Sequence, residues 1–181
     1  MDVSADWRPY TVGRWAYTDW GWMWISADPW GSAPYHYGRW AYDDLYGWIW
    51  VPGDVWAPAW VSWRYGGDWI GWAPLPPEFG WQTSIGFRYS SYDFDRRISS
   101  NAWCFARGSG FTAARVQVAP PSRNVTIRNV TRNVTRYEVI GSMPAERGLR
   151  PDWVSRATKR PVTRYSLVDS PGSRRTNPEI R

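Results

Sequence analysis

Few side chains in this 181-residue sequence are of the types that carry out catalysis or bind metals. There is one histidine, His36, between two tyrosines, and one cysteine, Cys104, in the sequence Trp-Cys-Phe. A general base needs an orienting partner, and the neighbours of His36 offer none. We therefore expect His36 to be a structural histidine in an aromatic cluster and Cys104 to be a buried, unreactive thiol. One His and one Cys are too few for an ordinary structural zinc site, and no metal is predicted.

Acidic residues form two close pairs, Asp43 with Asp44 and Asp93 with Asp95. Glycoside hydrolases work with two carboxyl groups, so a hydrolase that uses Asp43 or Asp44 is one alternative. Both pairs stand in turn-like sequence, where aspartate is common because its side chain bonds to nearby backbone. No glycine-rich phosphate loop is present, and the Gly-Ser-Gly sequence at 108–110 is interpreted as a turn. We predict a non-catalytic protein without a cofactor.

The elements that would position any site come from a tryptophan-rich repeat. The chain has 17 Trp, of which 14 lie in residues 7–72, and successive units begin at Trp7, Trp30 and Trp56. Aromatic residues recur at every second position, as in Gly-Trp-Met-Trp-Ile at 21–25, which is the period of a β-strand. Gly and Asp separate the strand pairs and suit tight turns. Three antiparallel hairpins are predicted, forming a meander or a small open barrel.

The predicted fold class is mainly β, with a smaller mixed region that contains one short helix. The predicted regions are hairpin repeats (1–78), further strands packing on the repeats (79–119, with strands near 87–89 and 102–105), a basic extended and short-helix region (120–169) and a disordered tail (170–181). Three Asn-Val-Thr triplets, starting at Asn124, Asn129 and Asn133, are predicted to be extended because Val and Thr favour strands. The helix is expected at 151–159, with Pro151 at its first position, and a strand at 162–168.

Charge is divided unevenly along the chain. Residues 1–97 contain 7 Arg and 11 Asp or Glu, whereas residues 98–181 contain 15 Arg or Lys and 5 Asp or Glu. Single-stranded nucleic acid binds where cations and aromatic rings alternate, and here they are separated, so nucleic acid is not an expected partner. The basic C-terminal region is instead expected to make peripheral contact with an anionic surface. No apolar run is long enough to span a membrane.

The aromatic hairpins are the best candidate for a binding surface, because Trp and Tyr are rarely buried completely. Two alternatives stay open: the rings stack mainly on one another, or they face outward and bind a partner. The partner would be an envelope protein or, alternatively, a cell-wall polysaccharide bound by ring stacking. The candidate binding residues are Trp15, Tyr17, Trp22, Trp24, Tyr35, Trp40, Trp48, Trp50, Trp63 and Trp69.

Several motifs resemble one bacterial family. They are Trp-Arg-Pro-Tyr at 7–10, Pro-Tyr-His-Tyr-Gly-Arg-Trp at 34–40, Gly-Trp-Ile-Trp-Val-Pro-Gly at 47–53, Trp-Ala-Pro-Ala-Trp-Val-Ser-Trp-Arg at 56–64 and Gly-Trp-Ala-Pro-Leu-Pro-Pro at 71–77. This set of motifs is similar to that of the tryptophan-rich family catalogued as domain of unknown function 6600, which is sometimes attached to FecR-like regions. The likeness is strong over residues 7 to about 77 and loose over 100–165. It implies a periplasmic or extracellular protein and no assigned activity. Relatives usually carry an export signal and a further half-repeat before the first motif, and we expect this sequence to be truncated at its start. The resulting hypothesis is a non-catalytic interaction or structural module of the bacterial envelope.

Overall fold

The computed structural model describes residues 7–168 and 179–180, and it contains the three predicted hairpins. The strands are β1 (Gly13–Thr18) and β2 (Gly21–Ser26), β3 (Tyr37–Asp43) and β4 (Gly47–Trp56), and β5 (Val61–Gly66) and β6 (Trp69–Pro74). Each pair is antiparallel, with Trp15 opposite Trp24, Trp40 opposite Trp50 and Trp63 opposite Trp72. The predicted class, mainly β with antiparallel hairpins, is confirmed.

The three hairpins belong to three different sheets. The first is extended by β11 (Arg164–Tyr165), which runs parallel to β1. The third forms the centre of a four-stranded sheet, between β7 (Cys104–Arg107) and β8 (Arg132–Asn133). The second stands alone as a two-stranded sheet. A backbone hydrogen bond from Trp24 N to Pro58 O, at 3.1 Å, joins the first hairpin to the segment between the second and third hairpins.

The first and third hairpins pack their tryptophans against each other. The ring centroid of Trp15 lies 4.7 Å from that of Trp63, 5.0 Å from Trp24 and 5.6 Å from Trp72, all in tilted or edge-on geometry. Such geometry brings the positive edge of one ring to the negative face of another, which stabilises aromatic clusters beyond simple burial. The main core of the protein is therefore an assembly of indoles.

Residues 79–119 differ from the prediction because they contain a helix. Residues 87–89 are not a strand, and α1 (Ser91–Arg97) follows them. The hydroxyl of Ser90 accepts from Asp93 N while the Asp93 carboxylate accepts from Ser90 N, a capping box that starts the helix. Only the second predicted strand of this region is present, as β7.

The first Asn-Val-Thr triplet is helical, so its prediction as extended chain was wrong. It begins α2 (Asn124–Asn129), directly after a 3₁₀ turn at Pro121–Arg123. The amide of Asn124 donates to Ser100 O at 2.9 Å and to Trp103 O at 2.7 Å. These buried contacts outweigh the strand preference of Val and Thr. The second triplet begins at Asn129, the last residue of α2, and contains no strand, so it also differs from the prediction; the third is extended, and Asn133 lies in β8.

The remainder of the chain packs onto the hairpins. It contains β9 (Tyr137–Ile140), β10 (Met143–Glu146) and α3 (Pro151–Thr158), the helix predicted from the sequence. The hydroxyl of Tyr137 lies 3.0 Å from Ala59 O, which joins β9 to the segment before the third hairpin. The predicted strand at 162–168 is two short strands, β11 and β12 (Leu167–Val168), and β12 pairs with β13 (Glu179–Ile180). The predicted disordered tail otherwise lies outside the described residues.

Candidate binding surface on the second hairpin

Most of the predicted binding rings are buried. Seven of the ten, Trp15, Trp22, Trp24, Tyr35, Trp40, Trp63 and Trp69, have at most 9% of their surface exposed, and only Tyr17, Trp48 and Trp50 are half-buried. Among the buried ones, the Trp22 indole donates to Leu149 O at 2.9 Å, so a residue of the C-terminal region covers it. In this conformation the seven rings form core and offer no face to a ligand.

Exposed apolar side chains are concentrated instead on the second hairpin, β3–β4. Tyr42 is 63% exposed, Leu45 79% and Tyr46 75%, and the β4 residues Ile49 and Val51 are also exposed. These five are half of the large exposed hydrophobic residues in the described part of the chain. We call them the hairpin surface. Sequence reasoning missed it because the candidate binding residues were chosen among the Trp and Tyr of the repeat, whereas Leu45 and Tyr46 lie at the tip of a turn. Apolar residues at a turn tip were themselves an available signal.

The tip of the hairpin is held in shape by its own backbone. The carboxylate of Asp43 accepts hydrogen bonds from Leu45 N and Tyr46 N, both at 2.9 Å. Gly47 follows with a φ of +74°, a conformation that suits glycine and returns the chain into β4. The side chains of Leu45 and Tyr46 are thereby carried at the end of a defined turn.

Both faces of this hairpin are apolar. Tyr42 lies opposite Trp48, with ring centroids 5.5 Å apart and planes at 72°, on the face that also carries Trp50. The other face carries Ile49 and Val51. In the described part of the chain, β3 and β4 pair only with each other, so both edges of this two-stranded sheet are free of neighbouring strands. Such an edge can accept a strand from another chain.

The single histidine and cysteine are buried. Nδ1 of His36 lies 3.0 Å from Ala57 O, and the ring stacks on Trp56 at 5.9 Å. Burial lowers the pKa of His36 to about 4, so the ring is neutral at physiological pH. Burial raises the pKa of Cys104 to about 11, which keeps it in the unreactive thiol form.

The candidate carboxylates have structural contacts. Asp43 holds the hairpin turn, and Asp44 is exposed beside it. The Asp93 carboxylate accepts from the Ser90 hydroxyl at 2.7 Å and from Ser90 N at 2.8 Å, and these hydrogen bonds lower the pKa of Asp93. Asp95 forms an ion pair with Arg64. Within residues 7–168 and 179–180, no three His, Cys, Asp or Glu side chains are grouped so that they could hold a metal ion.

These features define a β-hairpin protein with a tryptophan core and one exposed apolar hairpin. Residues 1–79 match the model of a family of unknown function, DUF6600, as the motifs predicted. That range spans all three hairpins. Comparison with curated proteins and with solved structures gave no match. Among the described residues, no helix is both long enough and apolar enough to cross a membrane.

Proposed function

We propose that this protein is a non-catalytic interaction module of the bacterial envelope that binds a protein partner through the hairpin surface. The observation that carries the proposal is the clustering of Tyr42, Leu45, Tyr46, Ile49 and Val51 on one isolated hairpin. Exposed apolar side chains gathered on one element, here the tip and faces of the hairpin, are typical of an interaction site on a soluble protein. Removing such side chains from water is favourable by about 25 cal/mol per Å² of apolar area.

The residue types favour a protein over a polysaccharide as the partner. Sugar rings stack on flat aromatic faces, but Leu45, Ile49 and Val51 are aliphatic and present no such face. The exposed ring of Tyr42 lies edge-on to Trp48 rather than coplanar with it. An apolar partner surface can cover the tip of the hairpin and its exposed side chains, and a partner strand can pair with a free edge.

A location outside the cytoplasm is part of the proposal. Its support is the match of residues 1–79 to the family, whose motifs imply a periplasmic or extracellular protein. Fractionation of the native host, with antibody detection, tests the location. Recovery of the protein only with cytoplasmic markers would contradict it.

Site-specific photo-crosslinking in the native host tests the interaction. A photoreactive amino acid replaces Leu45 in one variant and Tyr92 in a matched control, since Tyr92 is 66% exposed on a different element, α1. The expected result is a discrete crosslinked protein band from position 45 that position 92 does not give. Equal patterns from the two positions would contradict docking at the hairpin.

The alternative, in which the hairpin binds a polysaccharide, is tested by cosedimentation. The purified protein is sedimented with insoluble cell-wall polysaccharide at low and high salt, beside a Tyr42→Ala/Trp48→Ala variant. The proposal predicts no salt-resistant binding. Salt-resistant binding that this variant loses while it stays folded would replace the protein partner by a glycan.

A further inference from the structure

A cleft of about 190 Å³ lies at the base of the second hairpin. It arises from an irregularity in strand pairing: Tyr37 lies opposite Trp56 and Arg39 opposite Val51, so the residues between Val51 and Trp56 bulge outward. Gly38, with a φ of +76°, makes the bulge feasible, since a Cβ there would overlap Val51 O. The cleft is lined on one side by residues of β3 and β4 and on the other by Trp60, Phe79 and Trp81.

The cleft contains an arginine without an acidic partner. The guanidinium of Arg39 stacks on Trp60, with Cζ 3.5 Å from the ring centroid. It donates to Gly38 O at 2.8 Å and to Phe79 O at 3.4 Å. In the described part of the chain, no Asp or Glu oxygen lies within 4.0 Å of it. Burial lowers the pKa of Arg39 to about 10, so the group is partly desolvated and still charged at neutral pH.

The buried side-chain polar atoms of the cleft that lack a hydrogen-bond partner are all donors. Nε of Arg39 and Nε1 of Trp81 are buried with no hydrogen-bond partner, and among the other lining residues no buried side-chain acceptor lacks one. A guanidinium has five N–H groups in a planar fork that matches a carboxylate. A wall with spare donors and a fixed cation that has no paired carboxylate suits a ligand that brings a negative charge and only acceptors.

We propose that this cleft binds the carboxylate of an acidic side chain on the protein partner, with Arg39 as the anchoring cation. The inference rests on the proposed function for the source of the carboxylate. The volume supports a side chain, because sites for whole small molecules are typically about 300–1,000 Å³. The cleft also continues into the hairpin surface, since Val51 belongs to both.

Asp54 lies on the same wall and bears on the proposal. It is exposed, and its negative charge disfavours an incoming carboxylate. Removing that charge by Asp54→Asn is therefore expected to strengthen binding. This variant leaves the Arg39 contacts in place and remains informative if an Arg39 variant fails to fold.

The test is an NMR titration of the ¹⁵N-labelled protein with the blocked peptide Ac-Gly-Glu-Gly-NH₂ and its Gln analogue. The reporter is the indole N–H of Trp81, assigned with Trp81→Phe. The Glu peptide is expected to give a saturable shift that the Gln peptide does not. Arg39→Gln is expected to weaken this binding about tenfold or more, as loss of a charge-assisted contact does, and Asp54→Asn to tighten it. Free glucuronic acid, as a second carboxylate source, is expected to bind more weakly than the Glu peptide.

Arg107→Gln is the matched control, because Arg107 also stacks on a tryptophan, Trp69 at 4.0 Å, but already pairs with Asp68. It is expected to leave the titration unchanged. Equal shifts from the Glu and Gln peptides, unchanged binding in Arg39→Gln, weaker binding in Asp54→Asn, or preference for glucuronic acid would each overturn the inference. Crosslinking at Leu45 does not depend on Arg39, so a failed titration with a persistent crosslink would reject the acidic anchor and leave the docking proposal standing.

Discussion

Replacing Glu146 by glutamine is expected to change how the free energy of unfolding depends on pH. Glu146 ends β10 with 2% of its surface exposed. Its Oε1 accepts from Leu149 N at 3.1 Å and from Gly148 N, while Oε2 is buried without a partner. Burial raises the pKa of this carboxyl from its ordinary 4.5 to about 8, because the charged form is poorly solvated there.

The sign of the effect follows from proton binding. Between pH 4.5 and about 8 the unfolded chain has lost the Glu146 proton and the folded protein still holds it. The contribution of Glu146 to the free energy of unfolding therefore falls as pH rises through this window and is constant above it. Each pKa unit corresponds to about 1.4 kcal/mol, so the whole fall amounts to roughly 5 kcal/mol at most. Glu146→Gln removes this titration. The free energy of unfolding of the variant minus that of the native protein should therefore be higher at pH 8 than at pH 4.5, by roughly 5 kcal/mol at most.

Urea unfolding followed by tryptophan fluorescence from pH 4.5 to 8 measures the difference. Comparing variant with native protein at each pH cancels the contribution of other groups, including His36. Glu138→Gln is the matched control, because Glu138 is 41% exposed and pairs with Arg136. The free energy of unfolding of this variant, plotted against pH, should run nearly parallel to that of the native protein. If the free energy of unfolding of Glu146→Gln ran parallel to that of the native protein across this pH range, the pKa of Glu146 would not be raised in the folded state.

Three further predictions concern stability and are measured by the same urea unfolding. Trp15→Ala should cost about 3–5 kcal/mol because it empties the centre of the indole core, whereas Trp48→Ala on the half-buried hairpin should cost about 1 kcal/mol or less; similar losses would contradict the assigned core. Trp22→Phe keeps most of the volume but leaves Leu149 O without its donor, so a loss of about 1–3 kcal/mol is expected, and an unchanged midpoint would argue against that contact. Ser90→Ala removes the capping box of α1 and should cost about 0.5–2 kcal/mol, with a matching loss of helical circular dichroism; no loss would show that the cap is not needed.

Local patterns were sufficient to predict the hairpins. Alternating aromatic residues, interrupted by Gly and Asp, define strands and turns within a few residues, so β1 to β6 follow from the sequence. The helix α3 was also predictable, because Pro151 occupies its first position.

Burial was not predictable, because it depends on what covers each strand. Trp22 and Trp48 both follow a glycine at the start of a returning strand, yet Trp22 is covered by Leu149 and Phe111 while Trp48 is half-buried. The covering residues are more than 80 positions away, and nothing in the local period of two indicates them. The same limit applies to Asn124, whose helix depends on contacts with a distant turn.

Docking of a partner on the hairpin surface is best tested by covalent footprinting of the protein in its native envelope, compared with footprinting of the purified protein. In the purified protein, Tyr42, Leu45 and Tyr46 should be labelled strongly and Trp15 and Trp24 weakly. In the envelope, labelling of the three hairpin residues should fall severalfold, while Tyr92, exposed on α1, keeps its labelling. Equal labelling of the hairpin in both states would contradict the account, because the hairpin surface would then have no partner.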